Sequence, residues 1–364
     1  MKTIVLALFA LFMFSCKRGD KVDSKNSMIV GDWELTTKEF EPKDGTRAYP
    51  IETGYGFYAD GIFENKIGFY NWTNPLKYYG SFSKYKIEND SLKMYNLYLE
   101  KWTSIHVEKL NTDSLVLKGK YFNPVYVKKH YDTIGIPQFQ GLIISQSGGL
   151  ITSQLNNIII KSDGSIVYDK FETKNDEGDL EHKWYEARIS NKDFSKIQTR
   201  FKQANWPKLK SLYGDVIYDA GDTQISIIIN DKIVKSVFIY PSELPATLTW
   251  AYMPALHIPD VLKSKEITAK NLIGSDITII GSEGRLGLTS SESYFLAYSL
   301  GKAPSINKNF SELYKLDFQD DSVTRITTDG RYFKLYDKNK GVKIVDFGYD
   351  FITESKLMNT FQKK

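Results

Sequence analysis

The chain of 364 residues has one cysteine, which excludes an internal disulfide framework and any thiolate cage for zinc or an iron–sulfur cluster. Its 4 histidines, His106, His130, His182 and His257, are scattered. They show neither His-x-His nor His-Glu-x-x-His spacing, so they read as independent surface or core imidazoles, and neither a metal nor a cofactor is expected. Charge of one sign is not in excess: 48 Lys and Arg against 44 Asp and Glu leave a formal +4, spread evenly, and nucleic acid is not expected as a partner. No apolar run reaches the roughly 20 residues that a membrane-crossing helix needs. With 41% hydrophobic and 25% charged residues, the chain reads as globular rather than disordered. At about 100–200 residues per domain, its length allows two or three domains.

The cysteine stands at a telling place. Lys2 gives a positive start, residues 4–14 are uninterruptedly apolar, and the run ends at Ser15-Cys16. Met13-Phe14-Ser15-Cys16 places a large apolar residue three positions before the Cys and a small one directly before it. This resembles a bacterial lipoprotein signal of the Bacteroidetes type. The resemblance implies cleavage between Ser15 and Cys16, diacylglycerol on the Cys16 sulfur and an acyl group, palmitate-like, on the new amino terminus. Two or more chains anchor stably, since each buried methylene contributes about 0.8 kcal/mol. Residues 1–15 are then a signal peptide, and polar residues 16–26 a tether from the lipid surface. Lys17-Arg18 is basic, where an acidic run would point to the cell surface. The expected location is the cell envelope, on an outer membrane and facing the periplasm.

Beyond the tether, strand formers dominate: 24 Tyr, 21 Phe and 6 Trp, with many Val, Ile and Thr, cut by Asn, Asp and Gly. The expected fold class is mainly β with α+β parts. Residues 27–130 read as an antiparallel β-barrel of short strands. Gly31-Asp32-Trp33-Glu34-Leu35-Thr36 alternates, residues 55–63 turn at Asp60-Gly61, and strands follow at 79–87, 92–99, 103–110 and 114–118. A closed meander removes the exposed edges of such a sheet. Gly31-x-Trp33 opening the first strand, the aromatic strand with its Asp-Gly turn, and Asp113-Ser114-Leu115-Val116-Leu117 resemble the lipocalin-like domains of bacterial lipoproteins. The resemblance implies that Gly31 lets the backbone pass closely and that Trp33 plugs the closed end. It also implies binding of a small hydrophobic ligand. In true lipocalins an Arg stacks on this Trp, and no such Arg is identified in this sequence. Trp33, Phe57, Tyr79 and Tyr95 are the candidate ligand-binding aromatics. Residues 69–102 are dense in further rings, among them Trp72 and Trp102, which read as a cross-strand ladder ahead of a ligand platform.

Residues 131–268 read as an α+β domain. Three consecutive Ile (158–160) lead into Asp163-Gly164 and a returning strand; a helix starts near Ser190-Asn191, with Phe194, Ile197, Phe201, Ala204 and Trp206 on one face up to Pro207. Strands at 223–229 and 233–240 flank Asn230-Asp231, and residues 245–263 read as a second helix. This order is similar to an uncharacterised domain of bacterial exported proteins, in which a segment containing Cys and Gly precedes the first strand. Here residues 145–150 contain no Cys. Residues 269–364 form a third piece. Thr289-x-x-Glu292 is a capping box before a helix, Asp329-Gly330 joins two strands, and residues 354–362 read as a short closing helix.

No catalytic constellation is recognised. Ser145-x-Ser147-Gly148-Gly149 lacks the strand–turn–helix context of a serine nucleophile and reads as a loop, and Gly281-x-x-Gly284-x-x-Gly287 lacks phosphate-loop chemistry and reads as a hairpin. Asp320-Asp321 and Asp215/Asp219 near Asp222 read as solvated loops. The expected function is therefore a membrane-anchored envelope lipoprotein, non-enzymatic rather than catalytic, that binds a small hydrophobic ligand or an envelope protein. The alternatives are an envelope hydrolase with a site assembled between domains, and a purely structural interaction module.

Overall fold

The computed structural model describes residues 24–36, 54–71, 77–119, 123–147, 156–173, 180–215, 221–240, 244–268, 277–318, 323–338 and 341–362. The protein is mainly β, and it divides into two compact units, Met1–His130 and Tyr131–Lys364. Among the described residues, no helix is long and apolar enough to cross a membrane.

The first unit opens with helix α1 (Ser24–Ile29) and strands β1 (Gly31–Leu35), β2 (Gly54–Phe57) and β3 (Ile62–Asn65). A small ribbon of β4 (Tyr70–Asn71) and β5 (Lys77–Tyr78) precedes β6 (Phe82–Glu88), β7 (Ser91–Asn96), β8 (Lys101–Leu110), β9 (Ser114–Lys118) and β10 (Val125–Lys129). Leaving the ribbon aside, each strand pairs antiparallel with the next, and β10 closes on β1 in an eight-stranded barrel. Period-two alternation builds it: β6 buries Ser83, Tyr85 and Ile87 and exposes Lys84, Lys86 and Glu88. Asn89 and Asp90 both take positive φ in the β6–β7 turn, a geometry that short polar side chains tolerate. The interior is largely aromatic, with Trp33, Phe57, Phe63, Phe69, Tyr85 and Tyr126 in one cluster with Leu92, Leu115 and Leu117.

The second unit contains a sheet of β11 (Gly141–Gln146), β12 (Asn156–Lys161), β13 (Ser165–Thr173), β14 (Leu180–Arg188), β15 (Leu212–Tyr213), β16 (Thr223–Ile229), β17 (Lys232–Ile239) and β18 (Lys265–Ile267), in the order β15-β17-β16-β11-β12-β13-β14-β18. Helices α2 (Asn191–Gln203) and α3 (Ala246–Leu256) cover one face, packing Phe194, Ile197, Phe201, Leu248 and Ala255 on Leu142, Ile144, Ile158 and Ile160. The other face, with Ile143, Ile159, Ile228 and Ile233, meets helix α4 (Ser290–Lys302). Behind α4 stands a six-stranded antiparallel sheet of β19 (Thr278–Gly281), β20 (Gly284–Gly287), β21 (Tyr314–Asp317), β22 (Val323–Thr328), β23 (Tyr332–Asp337) and β24 (Gly341–Asp346), followed by the short helix α5 (Phe351–Glu354). Helix α4 buries Tyr294, Phe295, Leu296, Ala297, Tyr298 and Leu300 in succession, as a helix apolar on all sides must. Residues 131–268 and 269–364, read separately in the sequence, thus share a core around α4.

Several local expectations change. Helix α1 begins inside the segment read as a tether. Ser145 and Gln146 end strand β11 instead of lying in a loop. The helix expected over 245–263 ends at Leu256, and a 3-10 turn, Ile258–Val261, follows because Pro259 lacks the N–H that a continuing helix needs. Residues 355–362 form no helix. Their amides answer to tertiary partners: Lys356 N donates to the Ile233 carbonyl at 2.8 Å, Met358 N to Glu292 Oε1 at 2.8 Å, and Gln362 exchanges backbone bonds with Arg285.

Candidate functional site

One end of the barrel is locked by a single cation. Strand β1 turns Trp33 inward, fully buried, and its Nε1 donates to the Ile29 carbonyl at 2.6 Å. Lys128, opposite it on β10, holds Nζ 4.9 Å from the ring centroid and donates to the Met28 and Val30 carbonyls at 2.9 and 2.8 Å. These carbonyls lie at the end of α1, where helix geometry leaves acceptors without intrahelical donors. Gly31 sits at φ +130°, and a Cβ there would stand 3.2 Å from Lys128 Cε, so the glycine clears the path of the lysine stem. Burial pulls the Lys128 pKa below the usual ammonium range, against the charge of Asp113.

The four candidate aromatics divide. Trp33 and Phe57 share the interior, where Phe57 meets Tyr85 edge-on at 4.9 Å and Phe63 at 6.0 Å. Tyr79 packs at its margin and contacts Tyr98 at 5.8 Å. Tyr95 lies on the opposite face of β7 from interior Leu92 and Met94, ring to ring with Trp102 at 5.7 Å, and Lys86 covers Trp102 at 5.3 Å. That pair is a cross-strand ladder. Ser15, Cys16 and Trp72 lie outside the described residues.

The second unit holds a buried polar layer. Strand register puts Ser145, Asn157, Asp169, Gln224 and Ser226 on one face of the large sheet, under the first turns of α4. Ser226 Oγ lies 2.8 Å from Ser291 Oγ, and Ser236 Oγ donates to Glu292 Oε1 at 2.6 Å. Glu292, with no solvent exposure, closes the capping box by accepting from Thr289 N at 2.9 Å. At the far end, Asp169 Oδ2 accepts from Asn157 Nδ2 at 3.1 Å and lies 2.6 Å from His182 Nε2. Asp169 is 1% exposed and the His182 side chain 40%, so the pair joins a buried carboxylate to a solvent-reaching imidazole. Burial pushes the Asp169 pKa up, while hydrogen bonds from His182 and Asn157 pull it back. Burial and the Asp169 charge raise the neighbouring Tyr294 phenol well above its ordinary value. Ser145 Oγ, Asn157 Oδ1, Asp169 Oδ1 and the Tyr294 hydroxyl are buried without a hydrogen-bond partner of ordinary geometry.

Other sequence candidates stay apart. His106 and His130 are exposed, and His257 Nδ1 lies 3.6 Å from Asp260 Oδ2. Ser147 Oγ donates to Asp222 Oδ2 at 2.6 Å and accepts from Asp222 N at 2.9 Å. Asp215 is exposed; Gly148, Gly149, Asp219, Asp320 and Asp321 lie outside the described residues. Among the described residues no group of three or more His, Cys, Asp or Glu side chains is arranged to hold a metal. Sequence reading missed Lys128 and the Asp169–His182 pair. The signal that could have found the pair was polar Asn157 and Asp169 at positions where strand alternation buries the side chain.

Residues 142–259 match a family model described as a domain of unknown function, DUF6438. The match takes in most of the large sheet with α2 and α3, and leaves out the barrel and α4. Comparison with curated proteins and with solved structures finds no match.

Proposed function

We propose that this chain is an envelope lipoprotein, held by acyl groups on Cys16 at the periplasmic face of an outer membrane, whose barrel is lipocalin-like and binds a small hydrophobic ligand. The Trp33–Lys128 lock carries this reading. A lysine does at Trp33 what the stacked arginine does in lipocalins, and it ties down the preceding helix at the same time. With that end closed, the ligand enters from the opposite end, where Tyr98, Leu99 and Trp102 stand exposed around the β7–β8 turn. Native mass spectrometry of the protein extracted from its own membranes tests the barrel: a co-purifying apolar molecule, lost on Phe57→Ala, is expected, and a ligand-free barrel overturns the reading. Cys16→Ala should release the protein from membranes. Unchanged retention without a lipid label would contradict the anchor.

The Asp169–His182 pair favours a second reading, an envelope hydrolase in which Asp169 orients His182 as a general base. Turnover of p-nitrophenyl acetate that disappears in both Asp169→Asn and His182→Ala would support it. Turnover that persists in both would dismiss it.

A further inference from the structure

The second unit carries a cleft of about 580 Å³, walled by the start of β13, the end of β14, the segment entering β18 and the last turn of α4. Its size lies within the roughly 300–1,000 Å³ of small-molecule sites. Cations converge on it. Arg188, Lys263, Lys265 and Lys302 line it, and Lys161 reaches the lining residue Tyr298 from β12. The one carboxylate in the lining, Glu186, is 3.5 Å from Lys265. Asp163 stands beside Arg188 but gives its carboxylate to Ser165 N and Oγ, at 2.9 and 2.6 Å. Among the described residues, Lys161, Arg188, Lys263 and Lys302 have no carboxylate within ion-pair distance, although many lysines elsewhere are paired.

The floor of the cleft repeats the pattern. Tyr298 is buried at 5% exposure, and the ammonium groups of Lys302 and Lys161 lie 4.3 and 5.0 Å from its ring centroid. Lys302 also donates to the Tyr298 hydroxyl. A ring face attracts each ammonium but neutralises neither, and among the described residues no carboxylate pairs with either at ion-pair distance, Asp163 acting on Lys161 only from farther off. Arg188 spends one nitrogen on the Asp163 carbonyl at 3.0 Å, and its remaining N–H groups form the fork that suits phosphate.

We propose that this cleft binds a phosphorylated ligand, with its phosphoryl oxygens on Arg188, Lys263 and Lys302 and its body over Ile166, Ala187 and Tyr298. A phosphate monoester concentrates a charge of about −1.5 to −2 at one point, matching unpaired cations better than a single carboxylate does. The site is separate from the barrel and stands or falls independently of the ligand proposed there.

The test uses the full chain carrying Cys16→Ala, so that a lipid anchor does not confuse the vesicle arm. One arm titrates inorganic pyrophosphate calorimetrically at low and high salt; the other sediments the protein with phosphatidylcholine vesicles, with and without phosphatidic acid. The comparison protein adds Arg188→Glu and Lys302→Glu, two exposed positions where an unchanged melting temperature is expected. Salt-sensitive pyrophosphate binding weakened about tenfold or more in the double variant supports the site and a soluble ligand. Sedimentation that needs phosphatidic acid and is lost in the variant supports the site with a lipid headgroup as the source. Absence of both signals, or binding equal in the two proteins, overturns the proposal.

Discussion

Within each unit, single side chains carry several interactions at once. Lys128 stacks on Trp33 and satisfies two carbonyls at the end of α1, so Lys128→Met should destabilise the barrel by about 1–3 kcal/mol in urea unfolding followed by circular dichroism. Lys128→Arg should keep most of that stability, because a guanidinium can stack and donate in the same place. Asp169 makes a pH prediction. Its carboxyl is raised above the ordinary 3.8, so the native state binds the proton more tightly than the unfolded chain. The stability it contributes is fully present below the unfolded value and is lost as pH rises through the folded one. Each tenfold gain in proton affinity on folding is worth about 1.4 kcal/mol. Asp169→Asn removes this dependence, and the variant should gain on the wild type as pH rises above the ordinary carboxyl value of 3.8. Parallel stability profiles would show that Asp169 titrates normally.

At the scale of elements, the N-terminus of α4 joins three separate stretches of chain. Glu292 accepts from Thr289 N, Ser236 Oγ and Met358 N, which belong to the cap, to β17 and to the closing segment. Thr289→Ala removes a cap, with an expected cost of about 1 kcal/mol. Glu292→Ala strands three buried donors and should cost several times more, in the same thermal or urea measurement. The cap itself was legible, since Thr289 and Glu292 satisfy a local rule three residues apart. So were the turns: Asn230 and Asp231 both adopt the positive φ that such residues allow. Helix α2 is capped by Ser190 and buries its expected face. What local rules could not reach was tertiary. The closing segment is extended because its amides find Ile233 and Glu292, and Lys128 meets Trp33 across a long stretch of sequence. Strands β11 and β14 were not read; β14 is edged by charged side chains such as Glu186 and Arg188, which mask its alternation.

For the whole molecule, the cores predict how it comes apart. Residues Met1–His130 and Tyr131–Lys364 each hold their own core, whereas α4 welds the two sheets of the second unit into one. Calorimetric unfolding should therefore show two transitions, with residues 131–268 and 269–364 melting together. A third transition would contradict the shared core. The Asp-Gly and Asn-Asp hairpins gave away strand pairing, but α4 looks from sequence like any capped helix, and its burial on both sides follows from two sheets far apart along the chain.

The position of α4 also matters while the chain is being made. Strands β11 to β17 are complete at Ile239, yet helix α4, in one cluster with Ile143, Ile159, Ile228 and Ile233, begins only at Ser290. A nascent chain therefore presents a bare apolar sheet face until about fifty more residues have emerged, and contacts of such long sequence separation form late. That interval is when a holdase has most to grip, and when aggregation competes most strongly with folding.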